Sequence, residues 1–180
     1  MESVVLNTNL RLEPATVSNL QKYLAVGIKS YCQHYTHLWK NNDPTPYVSH
    51  WFAEEVVKEE LHDPNSLNYI INLDGEAIGI LKLLVNSGID EISDIDALKA
   101  EKIYLLQEQS GKGIGKQLLK FTEDMAKSLQ KKVVWLDAMQ KGNPIQFYQK
   151  NGYSIKRESE VVLHHVKPSE KAMWILTKHI

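Results

Sequence analysis

Residues 105–119 read LLQEQSGKGIGKQLL: an apolar run, a polar turn, glycines at 111, 113 and 115, then an amphipathic stretch. A helix opening on such a run presents unpaired N–H groups and the positive end of its dipole, which suits a phosphate. Glycine there lets the backbone approach a ligand closely and take a positive φ without strain. Two phosphate-binding patterns fail on residue type. The GxxxxGK[ST] loop needs glycine at 110 and Ser or Thr at 117, where the chain has Ser110 and Gln117. The dinucleotide pattern GxGxxG fits Gly111 and Gly113 but meets Lys116 at its third position. A phosphate cradle of another kind, or a plain strand-to-helix turn, is what remains.

Other side chains with chemistry to offer lie on both sides of this loop. Glu101 sits two residues before Ile103 on the strand entering it, so alternation puts both on one sheet face. Glu76 opens the second strand of an upstream hairpin. Lys112 and Lys116 flank the glycines, as phosphate charges or as solvated side chains. Asn143 before Pro144 has the form of an N-cap followed by proline at the first helical position. Phe147 and Tyr148 form an aromatic pair on the short helix that follows. Residues 90–96 (DEISDID) hold acids and no base, which would draw in a cation or simply solvate a loop. No metal site is expected. His34 and His37 share a helix face without a third ligand of recognisable spacing, and His164 and His165 point apart on a strand. Trp39, Trp51, Trp135 and Trp174 read as core or as walls of a cleft.

The elements that must position these residues follow from periodicity. A strand at 8–13 precedes a helix whose stripe runs Val17, Leu20, Leu24, Ile28, Tyr31, Tyr35. NNDPTP at 41–46 is a connection, YVSHWFAEEVVKEEL a second helix, and HDPNS a break. Asp74-Gly75 joins SLNYIINL to EAIGILKLLV, a strong hairpin signal. Residues 86–98 read as a loop, and 99–106 as the strand leading into the glycines. Ile114, Leu118, Phe121, Met125 and Leu129 then mark an amphipathic helix. VVWLDAM at 133–139 is a buried strand; a short helix follows and stops near Asn151-Gly152. Strands near 153–165 and 171–178, with Pro168 between them, close the chain. The order is β-α-α-β-β-β-α-β-α-β-β, a mixed α/β domain with no internal boundary over residues 1–180.

Composition narrows the classes. The chain has 180 residues, 43% hydrophobic and 24% charged, with a net charge of −1, which gives no general pull toward nucleic acid or an anionic membrane. Cys32 is the single cysteine, which excludes an intrachain disulfide and points to a reducing, cytoplasmic setting. No stretch approaches the ~20 apolar residues that span a bilayer, and the start shows neither a basic segment nor an apolar run.

GKGIGKQLL resembles the pyrophosphate loop of the GNAT family of N-acetyltransferases, [QR]xxGx[GA] between a strand and a long helix. Gly113 and Gly115 take the two small positions. Ser110 stands where the family has Gln or Arg, with Gln109 one place early. GNPIQFYQKNGYSI at 142–155 is similar to the family's later signature, with Asn143, Phe147, Tyr148, Gly152 and Tyr153 at its spacing and Pro144-Ile145-Gln146 departing from it. The element order matches over the whole chain. LWKNNDPTPYVSHWFAEEVVKEELHDPNS and LDGEAIGILKLLV further resemble the insert and hairpin of PaiA-type polyamine acetyltransferases.

The resemblance implies the acyl-CoA N-acyltransferase fold: a central, mostly antiparallel sheet with helices on both faces. It implies acetyl-coenzyme A as cofactor and a small primary amine, a polyamine by the narrower match, as acceptor, attacking directly in a ternary complex. Backbone N–H groups of Ser110, Gly111, Lys112, Gly113, Ile114, Gly115 and Lys116 would anchor the pyrophosphate. The pantetheine arm would pair like a strand with Ile103, Tyr104 and Leu105, and Asn143 would bond its amide or cap its helix. Tyr148 would be the general acid at the sulfur, and Glu101 the base acting through water, with Glu76 a weaker alternative. A protein N-terminus or lysine as acceptor, and a non-catalytic coenzyme A-binding regulator, are the competing readings. No nucleic-acid or membrane partner is implied; homodimers are common in that family.

Overall fold

The computed structural model describes residues 2–142 and 144–180. One eight-stranded sheet runs in the order β1-β2-β3-β4-β5-β6-β8-β7. Its strands are β1 (Val4–Val5), β2 (Leu10–Pro14), β3 (Ser66–Leu73), β4 (Glu76–Leu84), β5 (Ala97–Leu105), β6 (Val133–Met139), β7 (Ser154–Glu160) and β8 (Ala172–His179). Every pairing is antiparallel except β5 with β6. Asp74 and Gly75 both take positive φ, 53° and 88°, which is the turn that a right-twisted two-residue hairpin requires.

The helices divide between the two faces. On one, α4 (Ile114–Ser128) sets Ile114, Leu118, Leu119 and Phe121 against Tyr69, Leu81, Leu83 and Leu98. On the other lie α1 (Leu20–Tyr35), α2 (Thr45–Trp51) and α3 (Glu54–His62), where Tyr23, Tyr31, Phe52 and Val57 pack on Ile70 and Ile80. Each face is buried because successive strand residues alternate sides while each helix offers one apolar stripe. α5 (Pro144–Lys150) connects β6 to β7. Among the described residues no helix is long and apolar enough to cross a membrane.

Three boundaries differ from the sequence reading. The second expected helix is two, α2 and α3, because Ala53 takes an extended ψ of 136° between them. The strand expected over 153–165 stops at Glu160, and 161–171 becomes a loop that bonds back to Leu38 and Lys40, just ahead of α2. β5 begins at Ala97, inside the stretch read as a loop.

The parallel pairing positions everything that follows. β5 and β6 pair only at Ala97–Val133, Leu98–Val134 and Lys99–Trp135. Beyond Lys99 β5 runs on to Leu105 and β6 to Met139 without meeting. The sheet therefore splays into a V whose open end faces the glycine loop.

Candidate functional site

One wall of the V is the outer edge of β5. The Leu106 N–H bonds the Ile78 carbonyl at 2.8 Å, and the Tyr104 carbonyl lies against Gly79 of β4. By the two-residue alternation of a strand, the N–H and C=O groups of Ile103 and Leu105 then point the other way, into the V. Buried backbone groups need partners, and an extended amide-bearing chain laid along this edge would supply them. His34 on α1, whose place here follows from no local signal, brings its Nε2 to 2.9 Å from the Leu105 carbonyl.

At the mouth stands the glycine loop. Gly111 and Gly113 both sit at φ 78°, Gly113 as the left-handed N-cap of α4. The Gln117 N–H makes the bond back to the Gly113 carbonyl, at 3.4 Å. The N–H groups of Ile114, Gly115 and Lys116 are thus the free donors of a helix start. A Cβ added at 111 or 113 would meet nothing within 4 Å, so those positions border open space that a phosphate could fill. Gly115 instead lies under the Phe147 ring, 3.1 Å from the position of an added Cβ. Lys112 donates to Gln109 Oε1 at 3.0 Å, and Lys116 is exposed. Gln109, one place early for the family motif, is thereby tied into the loop. Asn143 lies outside the described residues. Gly113→Ala should combine about 1 kcal/mol of left-handed strain with a methyl pointing at the phosphate position. The expected result is a coenzyme A Kd raised at least roughly tenfold, read by calorimetry.

Behind β5, on the face of α1–α3, lies a tyrosine cluster. Tyr31 and Tyr47 stack at 4.1 Å, and the Tyr47 and Tyr104 hydroxyls are 3.0 Å apart. Tyr35 packs at 5.6 Å from Tyr104. Burial pushes the hydroxyls of Tyr23, Tyr31 and Tyr104 well up from the usual value of 10, and Tyr47 to about 12. A raised folded-state value means that, above pH 10, the unfolded chain loses these protons while the folded one keeps them. Their contribution to stability is therefore constant below pH 10 and falls above it. Each such tyrosine contributes about 1.4 kcal/mol per pH unit. Urea midpoints at pH 8.5, 9.5 and 10.5 should show a flat stretch and then a steep decline.

Glu101 does not share a face with Ile103. Lys82 opposes Lys102 while Leu83 opposes Ala100, so Glu101 is the extra residue of a β-bulge. The bulge resets the alternation: Ile103 joins the core under α4, and the Glu101 carboxylate turns to Lys82 Nζ, 2.7 Å away on the opposite face. Lys82 also pairs at 2.7 Å with Glu60 of α3. Lys102 is buried beside them, 4.0 Å from Glu60, and desolvation ahead of its charged neighbours lowers its pKa. Glu76 is exposed at the far end of the hairpin and joins none of this.

Tyr148 lies on α5, which directly follows β6, the other wall of the V. Its half-buried ring packs on the α4 core and edge-on to Tyr153 at 6.1 Å. Burial raises its pKa, with Tyr35 adding to the effect, so that hydroxyl stays protonated through neutral pH.

The acidic run at 90–96 takes no part. Asp90 pairs with Arg157 at 3.0 Å, Glu91 with Lys156 at 2.6 Å and Asp96 with Lys132 at 3.0 Å. Asp94 accepts the Gly88 N–H at 2.6 Å. The run precedes the closed end of the V, and three of its four charges are met by bases from distant parts of the sequence.

Beyond the tyrosines a cavity of about 190 Å³ opens between α2 and the 161–171 loop. Trp39 and Trp51 line it, whereas Trp135 serves a small separate core with Ile89 and Ile175. Among the described residues, no group of three or more His, Cys, Asp or Glu could hold a metal ion.

Comparison with known proteins gives a concordant picture. The model of the acetyltransferase (GNAT) family matches residues 28–153. An uncharacterised N-acetyltransferase in the pepI 3′ region of Lactobacillus delbrueckii subsp. lactis is 28% identical over 162 residues, covering 87% of this chain and 91% of that protein. The PaiA N-acetyltransferase of Thermoplasma acidophilum, solved with coenzyme A, superposes with a TM-score of 0.74 at 17% identity, over 96% of this chain and all of that one. The spermidine/spermine N-acetyltransferase SpeG of Vibrio cholerae gives 0.67 at 16%, over 97% and 95%.

Proposed function

The chain belongs to the GNAT acetyltransferase family and is an acetyl-coenzyme A-dependent acyltransferase, and we propose that its acceptor is the primary amine of a small molecule, attacking directly in a ternary complex. The observation that carries this is the V between β5 and β6 with the glycine-capped start of α4 at its mouth. The residues present fit the cofactor: the Ile103 and Leu105 edge suits its amide-bearing arm, and the N–H groups at 114–116 suit its pyrophosphate. When bound, the cofactor supplies an activated acetyl thioester.

The chain's own groups then divide the remaining work. Ile103 or Leu105 offers a backbone N–H to the thioester carbonyl, where negative charge develops. Tyr148 donates a hydrogen bond to the departing sulfur; a thiol of pKa near 8.5 needs little more. Glu101, paired with Lys82 at 2.7 Å, accepts the proton of the acceptor's ammonium through water. The tyrosine cluster keeps bulk water from the V.

Spermidine and spermine are the first acceptors to test, since SpeG carries that activity by name and the α1–α3 insert resembles the PaiA type. The neutralised 90–96 run lends them no support. A protein terminus as acceptor would need an open groove, and the α1–α3 insert before the hairpin leaves less room for one.

The test is thiol release from acetyl-coenzyme A with polyamines, simple monoamines and short peptides, alongside Glu101→Gln. Turnover of a small amine is expected, with kcat/KM in the mutant down by about 10²-fold and most sharply below the acceptor's pKa. Turnover of peptides alone would discard the small-amine reading. Tight coenzyme A binding with no turnover on any amine would leave a regulator.

A further inference from the structure

Four titratable side chains meet between α3 and strands β4 and β5. Lys82 and Lys102 face each other across the β4–β5 ladder, 4% and 3% exposed. Lys82 Nζ lies 2.7 Å from Glu60 Oε1 of α3 and 2.7 Å from Glu101 Oε2, so one ammonium is divided between two carboxylates. Lys102 Nζ stands 4.0 Å from Glu60 Oε1 and has no hydrogen-bond partner among the described residues. Of the four side chains that of Glu101 is the most exposed, at 25%. It also belongs to the stretch of β5 beyond Lys99 that β6 leaves unpaired.

Stability gives little reason for this arrangement. Charges taken out of water recover their hydration only in part when they pair, and apolar side chains of similar size commonly do as well or better. Two lysines placed directly opposite on neighbouring strands disfavour each other's charge. The bulge at Glu101 interrupts a ladder that regular pairing would complete. These costs converge on one result. The carboxylate of an extra strand residue, which regular alternation does not aim, is fixed at its root by the bulge and at its tip by Lys82. Lys82 has little room to swing away, because it is buried and Glu60 holds its ammonium from α3.

We propose that Lys82 and Glu60 are positioning residues for deprotonation of the acceptor: Lys82 sets the direction of the Glu101 carboxylate, and Glu60 sets Lys82. The inference rests on the reading of Glu101 as proton acceptor and adds the residues through which it works. Neither Lys82 nor Glu60 takes the proton. It passes from the acceptor's ammonium through water to Glu101, and the amine so freed attacks the thioester carbon. A displacement of about 1 Å in such a group is enough to cost roughly 10²-fold in rate. Support for the carboxylate therefore acts on kcat, while the groups that hold the cofactor, on the outer edge of β5 and at the start of α4, stay as they are.

The test is a double-mutant cycle, read as kcat for whichever small amine releases thiol from acetyl-coenzyme A fastest. Lys82→Met should lower kcat roughly tenfold or more and Glu60→Gln several-fold, with the coenzyme A Kd within twofold in both. In a Glu101→Gln background no carboxylate is left to aim. There the same two changes should each cost less than about twofold, because residues that act as a unit are not additive. Equal losses in both backgrounds would make Lys82 and Glu60 merely structural and overturn the proposal, as would wild-type kcat in both single variants. Lys82→Met leaves two carboxylates without their shared cation; if urea unfolding shows that it does not fold, Glu60→Gln carries the cycle by itself. The underlying reading fails separately. Wild-type kcat in Glu101→Gln alone, or no turnover of any small amine, would remove the base and this inference with it.

Discussion

Replacing Tyr148 with Phe is expected to lower kcat by about 10²-fold while leaving the coenzyme A Kd within twofold. The phenyl ring keeps the contacts that Tyr148 makes with the α4 core and Tyr153, so the change removes a hydroxyl and little else. Burial holds that hydroxyl protonated well beyond neutral pH, with Tyr35 as the secondary influence. It therefore serves as a standing donor to a sulfur whose negative charge appears only as the thioester opens. An interaction made only at that stage lowers kcat and kcat/KM together and leaves ground-state binding alone. In the wild type, loss of this donor should not limit kcat up to pH 10. An unchanged kcat in the variant would remove Tyr148 from the chemistry and leave it a packed aromatic; an equal loss in coenzyme A affinity would make it a binding residue.

The largest effect on stability is expected at a position that makes no contact with any reacting group. A Cβ at Gly79 would run into the Tyr104 carbonyl oxygen and sit 3.0 Å from Leu105 Cα. Both are backbone atoms of β5, so no side-chain rotation relieves the clash. Gly79→Ala must push β4 and β5 apart along the strand that walls the V, and about 3 kcal/mol or more of stability should be lost. Urea unfolding measures the loss. Because the same displacement moves the Ile103 and Leu105 edge, coenzyme A affinity should fall as well. Gly27→Ala is a useful contrast: its Cβ would meet the Phe52 ring at 2.6 Å, a side chain that can swing aside at smaller cost. Comparable losses at 27 and 79 would mean that the β4–β5 contact is more yielding than its geometry implies.

Much of this protein is local, and what is local was readable in the residues. Asp74-Gly75 demands a two-residue hairpin wherever it stands between β-rich runs, and both residues take positive φ in the fold. The stripe from Ile114 to Met125 specifies an amphipathic helix because one face must be buried. Glycines at 111 and 113 before that helix mark the place where backbone turns left-handed beside open space. Those signals gave the element order and drew attention to the loop, to β5 and to the Phe147-Tyr148 pair. Tertiary structure alone decided the rest, because it depends on which strand lies beside which. Glu101 reads as a regular strand residue until its register against Lys82 and Leu83 reveals the bulge that turns its carboxylate to the other face. The acids at 90–96 read as an attractive patch until Lys132, Lys156 and Arg157 arrive from elsewhere to neutralise three of them. Gly79 carries no mark in the sequence, since its constraint is the backbone of a neighbouring strand. The cavity beside Trp51 likewise exists only because the 161–171 loop bonds back to Leu38 and Lys40. Periodicity and turn chemistry are properties of a few consecutive residues; charge neutralisation, register and cavities arise between residues that only the folded chain brings together.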